Sequence, residues 1–292
     1  MNIYFVLRVQ RGYNYDTAVD RSKLREDHNN NKTVHNEFLA LWDSLFKKSY
    51  NQVRKEVKEL TLQSVYRANF DRVYLNLDDF YEDYGGIVLK NDPDTYVFYM
   101  DDDDFVRSDV CSVIKTNYVA GFHGISWNYL RYHGIDNMIY SPNTQDFITK
   151  TGKKETGIFY SPWPHIQSNH CLIRIPIEPD CAFGSFLEEY NTLLPVNHSC
   201  MHKYLFQHNS NRKLYNIAQP LSLHNTTPAS YSFYDNDYKT GGRLKDVFDD
   251  PRNFYNSLYS FVNEGPFGTL QLLADEWRDV IKQQKTIFEG CL

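Results

Sequence analysis

The stretch Tyr96-Val-Phe-Tyr-Met-Asp-Asp-Asp-Asp-Phe105 decides the fold of this chain. The unbroken apolar and aromatic run from Tyr96 to Met100 has the pattern of a strand buried on both faces, as in a parallel sheet. It runs straight into Asp101, Asp102, Asp103 and Asp104. In open α/β sheets, ligands bind at the carboxyl ends of such strands. Neighbouring carboxylates repel one another, which raises some of their pKa values. A divalent cation relieves that repulsion, and hard oxygen ligands in a run without cysteine favour Mg²⁺ or Mn²⁺. Most acidic runs are solvated turns. This one follows a fully apolar strand and precedes a helix, which places it for chemistry.

Working outward, Ile3 to Leu7 is a second buried strand closed by Arg8, and Val73 to Leu77 is a third that ends at Asp78 and Asp79. The polar stretch Arg11 to Lys32 reads as a long loop. Val34, Phe38, Leu41, Trp42 and Leu45 recur at helical spacing and predict a helix over Thr33 to Lys48; a second covers Gln52 to Ala68. Ser108 is a candidate N-cap for a helix through Val110, Val113 and Ile114. From Val119 to Ile175 the pattern is β-rich and punctuated by glycine, with good strands at Ile125 to Leu130 and Asn169 to Ile175. Helices near Phe183 to Tyr190 and Ser199 to Gln207 precede two late strands, Leu214 to Ile217 and Leu221 to Leu223. The clearest tail helix is Thr269 to Phe288, with Leu270, Leu273, Trp277, Val280, Ile281 and Phe288 on one face. The order predicts an α/β fold: a mixed, mostly parallel sheet flanked by helices, with a C-terminal helical extension.

Composition narrows the partners. A formal charge of −6 over 292 residues, without a basic tract, disfavours nucleic-acid binding. An acidic site that takes a phosphate-bearing ligand needs a cation to bridge to it. The five cysteines show no CxxC spacing, which argues against a disulfide framework or structural zinc and for reduced thiols in a cytoplasmic setting. No apolar run reaches the roughly 18 residues of a membrane span.

The strand, Asp-x-Asp-Asp, apolar residue and following helix resemble the DXD segment of GT-A fold glycosyltransferases, which use nucleotide-sugar donors. Among these, the layout is most similar to the rhamnosyltransferase-like and family-two-like enzymes of bacteria. The likeness covers residues 1–225 by layout and about ten residues by motif. It implies a Rossmann-like GT-A catalytic domain over 1–240, with a donor half (1–118) and an acceptor half (119–240), and the helical extension at 241–292 packed on the same domain.

The implied activity is transfer of a sugar from a nucleoside-diphosphate sugar to a hydroxyl acceptor, such as a glycan, with Mn²⁺ or Mg²⁺. The resemblance makes Asp101 the ribose-side carboxylate, with Asp102 beside it, and Asp103 the principal metal ligand, with Asp101 and Asp104 near the ion. Four identical residues leave a register of Asp102 and Asp104 open. Arg8, Asp78 and Asp79 fall where the donor pocket begins and the nucleoside is held. His224, in Leu221-Ser-Leu-His-Asn-Thr226, falls where such enzymes place a late histidine near metal or pyrophosphate.

An inverting enzyme needs a base for the acceptor hydroxyl. The acidic pair that family-two-like enzymes supply is missing at Val196 to His202, which leaves His198, His202 and Glu188 as candidates and leaves a retaining mechanism open. Trp127, Tyr129, Tyr132, Trp163 and His165 are candidates for stacking on an acceptor sugar. Golgi glycosyltransferases usually carry a membrane anchor and stem, and a sequence without one is expected of a bacterial or viral enzyme or of a trimmed chain. Two other readings remain. One is a metal-dependent phosphohydrolase, since Asp102, Asp104 and Val106 formally match an Asp-x-Asp-x-Val nucleophile motif. The other is a GT-A-like binding protein without catalysis.

Overall fold

In the computed structural model, the first strand, β1 (Asn2–Arg8), is buried on both sides. Ile3, Phe5 and Leu7 point to one face and Val6 to the other, all with no exposed surface. The residues described are 1–8, 26–76, 79–80, 82–83, 94–118, 120–122, 124–133, 138–141, 146–148, 154–156, 171–175, 214–230, 243–263 and 275–292. Two strands flank β1 in parallel, β2 (Arg72–Tyr74) and β3 (Thr95–Asp101). The register sets Arg8 opposite Asp101, so β1 and β3 end side by side.

The sheet continues from β3 through β9 (Cys171–Ile175) to β5 (Gly124–His133), both joined antiparallel. A meander of β6 (Met138–Ser141), β7 (Asp146–Ile148) and β8 (Lys154–Thr156) extends from β5. The long β10 (Leu214–Thr226) runs parallel to β5 and antiparallel to the short β4 (Phe105–Val106) that follows the carboxylates. The architecture is therefore a mixed α/β sheet with a parallel section, β2-β1-β3, at one end of the strand order.

Helices accompany it, among them α1 (Glu26–Leu45), α2 (Tyr50–Arg67), α3 (Val110–Thr116), α4 (Arg243–Asp249), α5 (Pro251–Asn263) and α6 (Asp275–Glu289). Ser49 caps the start of α2 by accepting the Gln52 N–H. Asn69, in the left-handed region at φ 54°, follows its last turn. The chain then returns to the sheet, where Asp71 accepts the Ile3 N–H at 2.7 Å.

Three local expectations change. Helix α1 begins at Glu26, inside the stretch expected as loop. Asp109, not Ser108, occupies the N-cap of α3, and the Ser108 N–H donates instead to Glu276 at the start of α6. The two late strands are one, β10, interrupted by register shifts between Ile217 and Pro220 and between Pro220 and Ser222. Proline lacks the N–H a ladder needs, so the strand bulges there and then resumes.

Two apolar cores result. One lies under the sheet, where Phe5, Phe98, Met100 and Trp127 meet Leu62 and Val65 of α2, its C-cap Ala68, and Val110, Cys111 and Ile114 of α3. The other joins Phe38 and Trp42 of α1 to Phe254, Leu258 and Phe261 of α5 and to Trp277, Ile281 and Phe288 of α6. Its Tyr50, Val53 and Val57 come from the first half of α2, so α2 belongs to both cores. Phe105, Tyr132 and Leu223 also lie in the second core, which seats the C-terminal helices against the strands beside the carboxylates. Among the described residues, no helix is long and apolar enough to cross a membrane.

Candidate functional site

Asp101 ends β3 half-buried, and Asp102, Asp103 and Asp104 form the turn into β4 with 2%, 4% and 0% of their surface exposed. Buried carboxylates need partners, and the structure divides the run between two sets of them.

Asp102 and Asp103 face Arg54, which is 1% exposed. Its Nη1 donates to Asp103 Oδ2 at 2.8 Å, and its Nη2 forms a very short ion pair with Asp102 Oδ1. Nη1 also donates to the Ala229 carbonyl at 3.2 Å, and the Tyr50 hydroxyl reaches the same carbonyl at 2.6 Å. The Ser230 hydroxyl donates to Asp103 Oδ2 at 2.7 Å, and Thr61 donates to the Asp102 carbonyl at 3.1 Å. Helix α2 thus grips both the turn and the segment that follows β10.

Asp104 is held by β10 itself. Its Oδ1 accepts the Asn225 backbone N–H at 2.8 Å and lies 3.1 Å from His224 Nδ1. Antiparallel pairing of β4 with Ser222 and Leu223 produces this meeting, because it carries the next residues of β10 past the turn. The His224 side chain keeps 15% of its surface exposed.

The electrostatics follow the partners. Burial alone would lower the pKa of Arg54; Asp103 and Asp102 outweigh it and raise the pKa. Burial pushes Asp102 up to about 6 against the pull of Arg54, with Asp103 and Asp101 adding to the rise. Burial likewise raises Asp104, against His224. Two of the three buried carboxylates share one buried guanidinium, and the turn retains an excess of acidic groups.

The other candidates fall in several places. Arg8 aligns with Asp101 through the backbone register. Asp79 is exposed and sits in a local turn with Asn76, whose Oδ1 accepts its N–H at 2.8 Å and whose Nδ2 donates to its Oδ2 at 2.9 Å. Asp78, Glu188, His198 and His202 lie outside the described residues, as do Trp163, His165 and the helices expected near Phe183 to Tyr190 and Ser199 to Gln207. Trp127 and Tyr132 are core residues and not exposed stacking faces. Trp127 packs edge-on against Phe98 at 5.0 Å and donates its indole N–H to Ser222, while Tyr132 meets Phe261.

Sequence reasoning missed Arg54, Ser230 and Asn225. Arg54 carried a signal: Tyr50, Val53, Arg54 and Val57 follow the i, i+3, i+4, i+7 spacing of a buried stripe, and an arginine there needs a buried acid. Ser230 and Asn225 carried none, since their roles depend on where β10 ends. No family model matches the chain, and no curated protein matches it.

A divalent cation finds a partial fit. Asp104 and His224 meet at 3.1 Å, and a carboxylate and an imidazole are donor types that suit Mn²⁺. Among the described residues no group of three or more such side chains is close enough to hold an ion by itself. Mg²⁺-like ions are commonly held by one or two carboxylates, with substrate phosphates and water completing the shell. The donors fit a cation delivered with a phosphate ligand better than a resident one.

Proposed function

We propose that this chain is a metal-dependent glycosyltransferase that moves a sugar from a nucleoside-diphosphate sugar to a hydroxyl acceptor such as a glycan. One observation carries the reading: parallel strands β1 and β3 end side by side at an acidic turn, and β10 brings His224 onto the last carboxylate of that turn. Ligands of parallel sheets bind at that end of the strands, and an excess of buried acid attracts a cation. Asp101, Asp104 and His224 would face the cation, and Asp102 and Asp103 would hold the turn through Arg54. Mn²⁺ or Mg²⁺ would supply charge neutralisation for the departing nucleoside diphosphate. The chain's own work is to orient the diphosphate and hold the acceptor hydroxyl at the anomeric carbon. The phosphohydrolase reading loses support, because its nucleophile would be Asp102, whose carboxylate is already engaged by Arg54.

The test is thermal denaturation with UDP, GDP, dTDP and CMP, each with Mn²⁺ and with EDTA. A ligand at a hundred times its dissociation constant stabilises the native state by about 2.7 kcal/mol. One nucleotide is expected to raise the melting temperature only when Mn²⁺ is present, and Asp104→Asn is expected to remove that rise while the chain stays folded. An absence of any nucleotide response in the wild type overturns the reading. A response that survives Asp104→Asn overturns the role of Asp104.

A further inference from the structure

A cleft opens between α2, β4 and α6, with Leu60, Phe105, Val106 and Val280 as its buried apolar walls. Trp277 lines it too. This side chain is 2% exposed, and its indole N–H has no acceptor among the described residues. An indole offers one donor and no acceptor. Buried polar groups in folded proteins almost always have a partner, so an unmet donor beside a cavity points to a group that the cavity receives. The enclosed space is about 10 Å³, room for a single small group.

The rim supplies more donors. Gln63 and Arg67 lie one turn apart on α2, and Gln283 lines the cleft from α6. All three are exposed, and none has a side-chain hydrogen bond or ion pair among the described residues. The hydroxyl and carboxylate of the cleft are already engaged. Ser64 accepts the Val106 N–H at 3.4 Å and donates to the Thr61 carbonyl at 2.7 Å. Glu276 accepts the Ser108 N–H at 2.9 Å, and its Oε1 lies 4.0 Å from Arg107 Nε. The cleft therefore offers a visitor unmet donors and one uncommitted positive charge beside apolar walls.

We propose that this cleft binds a small organic carboxylate. One oxygen takes the Trp277 indole N–H, the other takes the Arg67 guanidinium, and the alkyl part lies against Leu60 and Val280. A planar carboxylate matches the fork of a guanidinium. Water would satisfy the indole but leave Arg67 unused, and phosphate brings further oxygens and charge beside Glu276. The site draws on none of the four aspartates and is independent of the cation reading above.

The experiment uses the full chain and the indole ¹H–¹⁵N signal of Trp277, one of four tryptophans, assigned through its sequential contacts along α6. Acetate is the probe, acetamide its neutral counterpart and inorganic phosphate the bulkier anion, all at constant ionic strength. Acetate is expected to move the Trp277 indole proton downfield along a saturable curve and to leave the other indoles in place. Arg67→Gln changes an exposed position, so the fold is retained, and it is expected to weaken acetate about fivefold, the size of an exposed ion pair. Arg67→Lys keeps the charge without the fork and is expected to fall between the two. Acetamide is expected to bind wild type about as weakly as acetate binds Arg67→Gln, and phosphate more weakly than acetate. A Trp277 indole signal that acetate does not move overturns the proposal, as does an acetate affinity unchanged in Arg67→Gln. Equal affinity for acetamide, or tighter binding of phosphate, overturns the carboxylate as the ligand.

Discussion

Asp102–Asp103 and Asp104 are identical residues in one turn, yet their surroundings are opposite in kind. The first pair is bound to a buried guanidinium and a serine hydroxyl on the α2 side. Asp104 is bound to a backbone N–H and set against a histidine that still reaches the surface. What separates them is the counter-charge each one meets. A fixed cation makes a carboxylate part of the scaffold, whereas a backbone amide and an imidazole leave it able to accept a further charge. Repulsion within an acidic run therefore does not by itself call for a metal, because an arginine from a distant helix can carry half of the load.

The sharpest way to break this comparison is to remove the guanidinium. Arg54→Met leaves two buried carboxylates without their cation, and breaking a buried pair from one side costs about 3–5 kcal/mol. Urea unfolding of the variant is expected to show a loss of that size. Arg54→Lys keeps the charge but loses the two-pronged geometry, and is expected to lie between the variant and wild type. Removing the acids together with the arginine, as Arg54→Met with Asp102→Asn and Asp103→Asn, is expected to recover part of the loss. An Arg54→Met protein as stable as wild type would mean that the turn does not depend on this pairing.

The pH dependence sharpens the same contrast. Burial raises Asp102 to about 6, above the value of about 3.8 for a solvated aspartate. The native state therefore keeps a proton that the unfolded chain gives up between those values. The contribution of this group to stability is complete below about pH 4 and is lost as the pH climbs through about 6. Asp102→Asn cannot titrate. The melting-temperature advantage of wild type over Asp102→Asn is therefore expected to shrink between pH 4 and pH 6 and to stay level above, as read by calorimetry across that range. An advantage that grows with pH would mean that Arg54 holds Asp102 ionised against its burial.

How much of this was legible depended on distance along the chain. The apolar runs at Ile3 to Leu7 and Tyr96 to Met100 announced β1 and β3, because a strand buried on both faces leaves its whole pattern in consecutive residues. The acidic turn was legible for the same reason. Its partners were not, since Arg54 lies 49 residues from Asp103 and Ser230 lies 127 away. The proline-bearing stretch of β10 read as a break between two strands, because the loss of a ladder donor looks the same in sequence whether a strand ends or bulges. Trp127 and Tyr132 read as candidate sugar platforms because an aromatic ring suits a core and a binding face equally well. Only the packing of Trp127 on Phe98 and of Tyr132 on Phe261 decides between them.

The smallest effect tests the finest part of the contrast. Among the described residues, Ser230 supplies the hydroxyl that reaches Asp103 Oδ2, and it shares that oxygen with Arg54. It also accepts the Thr227 N–H at 3.1 Å, so it closes the tight turn after β10 as well as bonding the acid. A hydrogen bond to a charged group contributes about 1.5–3 kcal/mol, but the guanidinium remains when the serine is removed, and about 1 kcal/mol is the expected loss for Ser230→Ala. If Arg54 and Ser230 act on one carboxylate as a unit, their effects will not add. Ser230→Ala placed on Arg54→Met is then expected to cost more than it does alone, because among the described residues the hydroxyl is the donor that remains to Asp103. A double-mutant cycle that closes to within about 0.3–0.5 kcal/mol, the margin for independent sites, would separate the two contacts and reduce Ser230 to a residue of the turn alone.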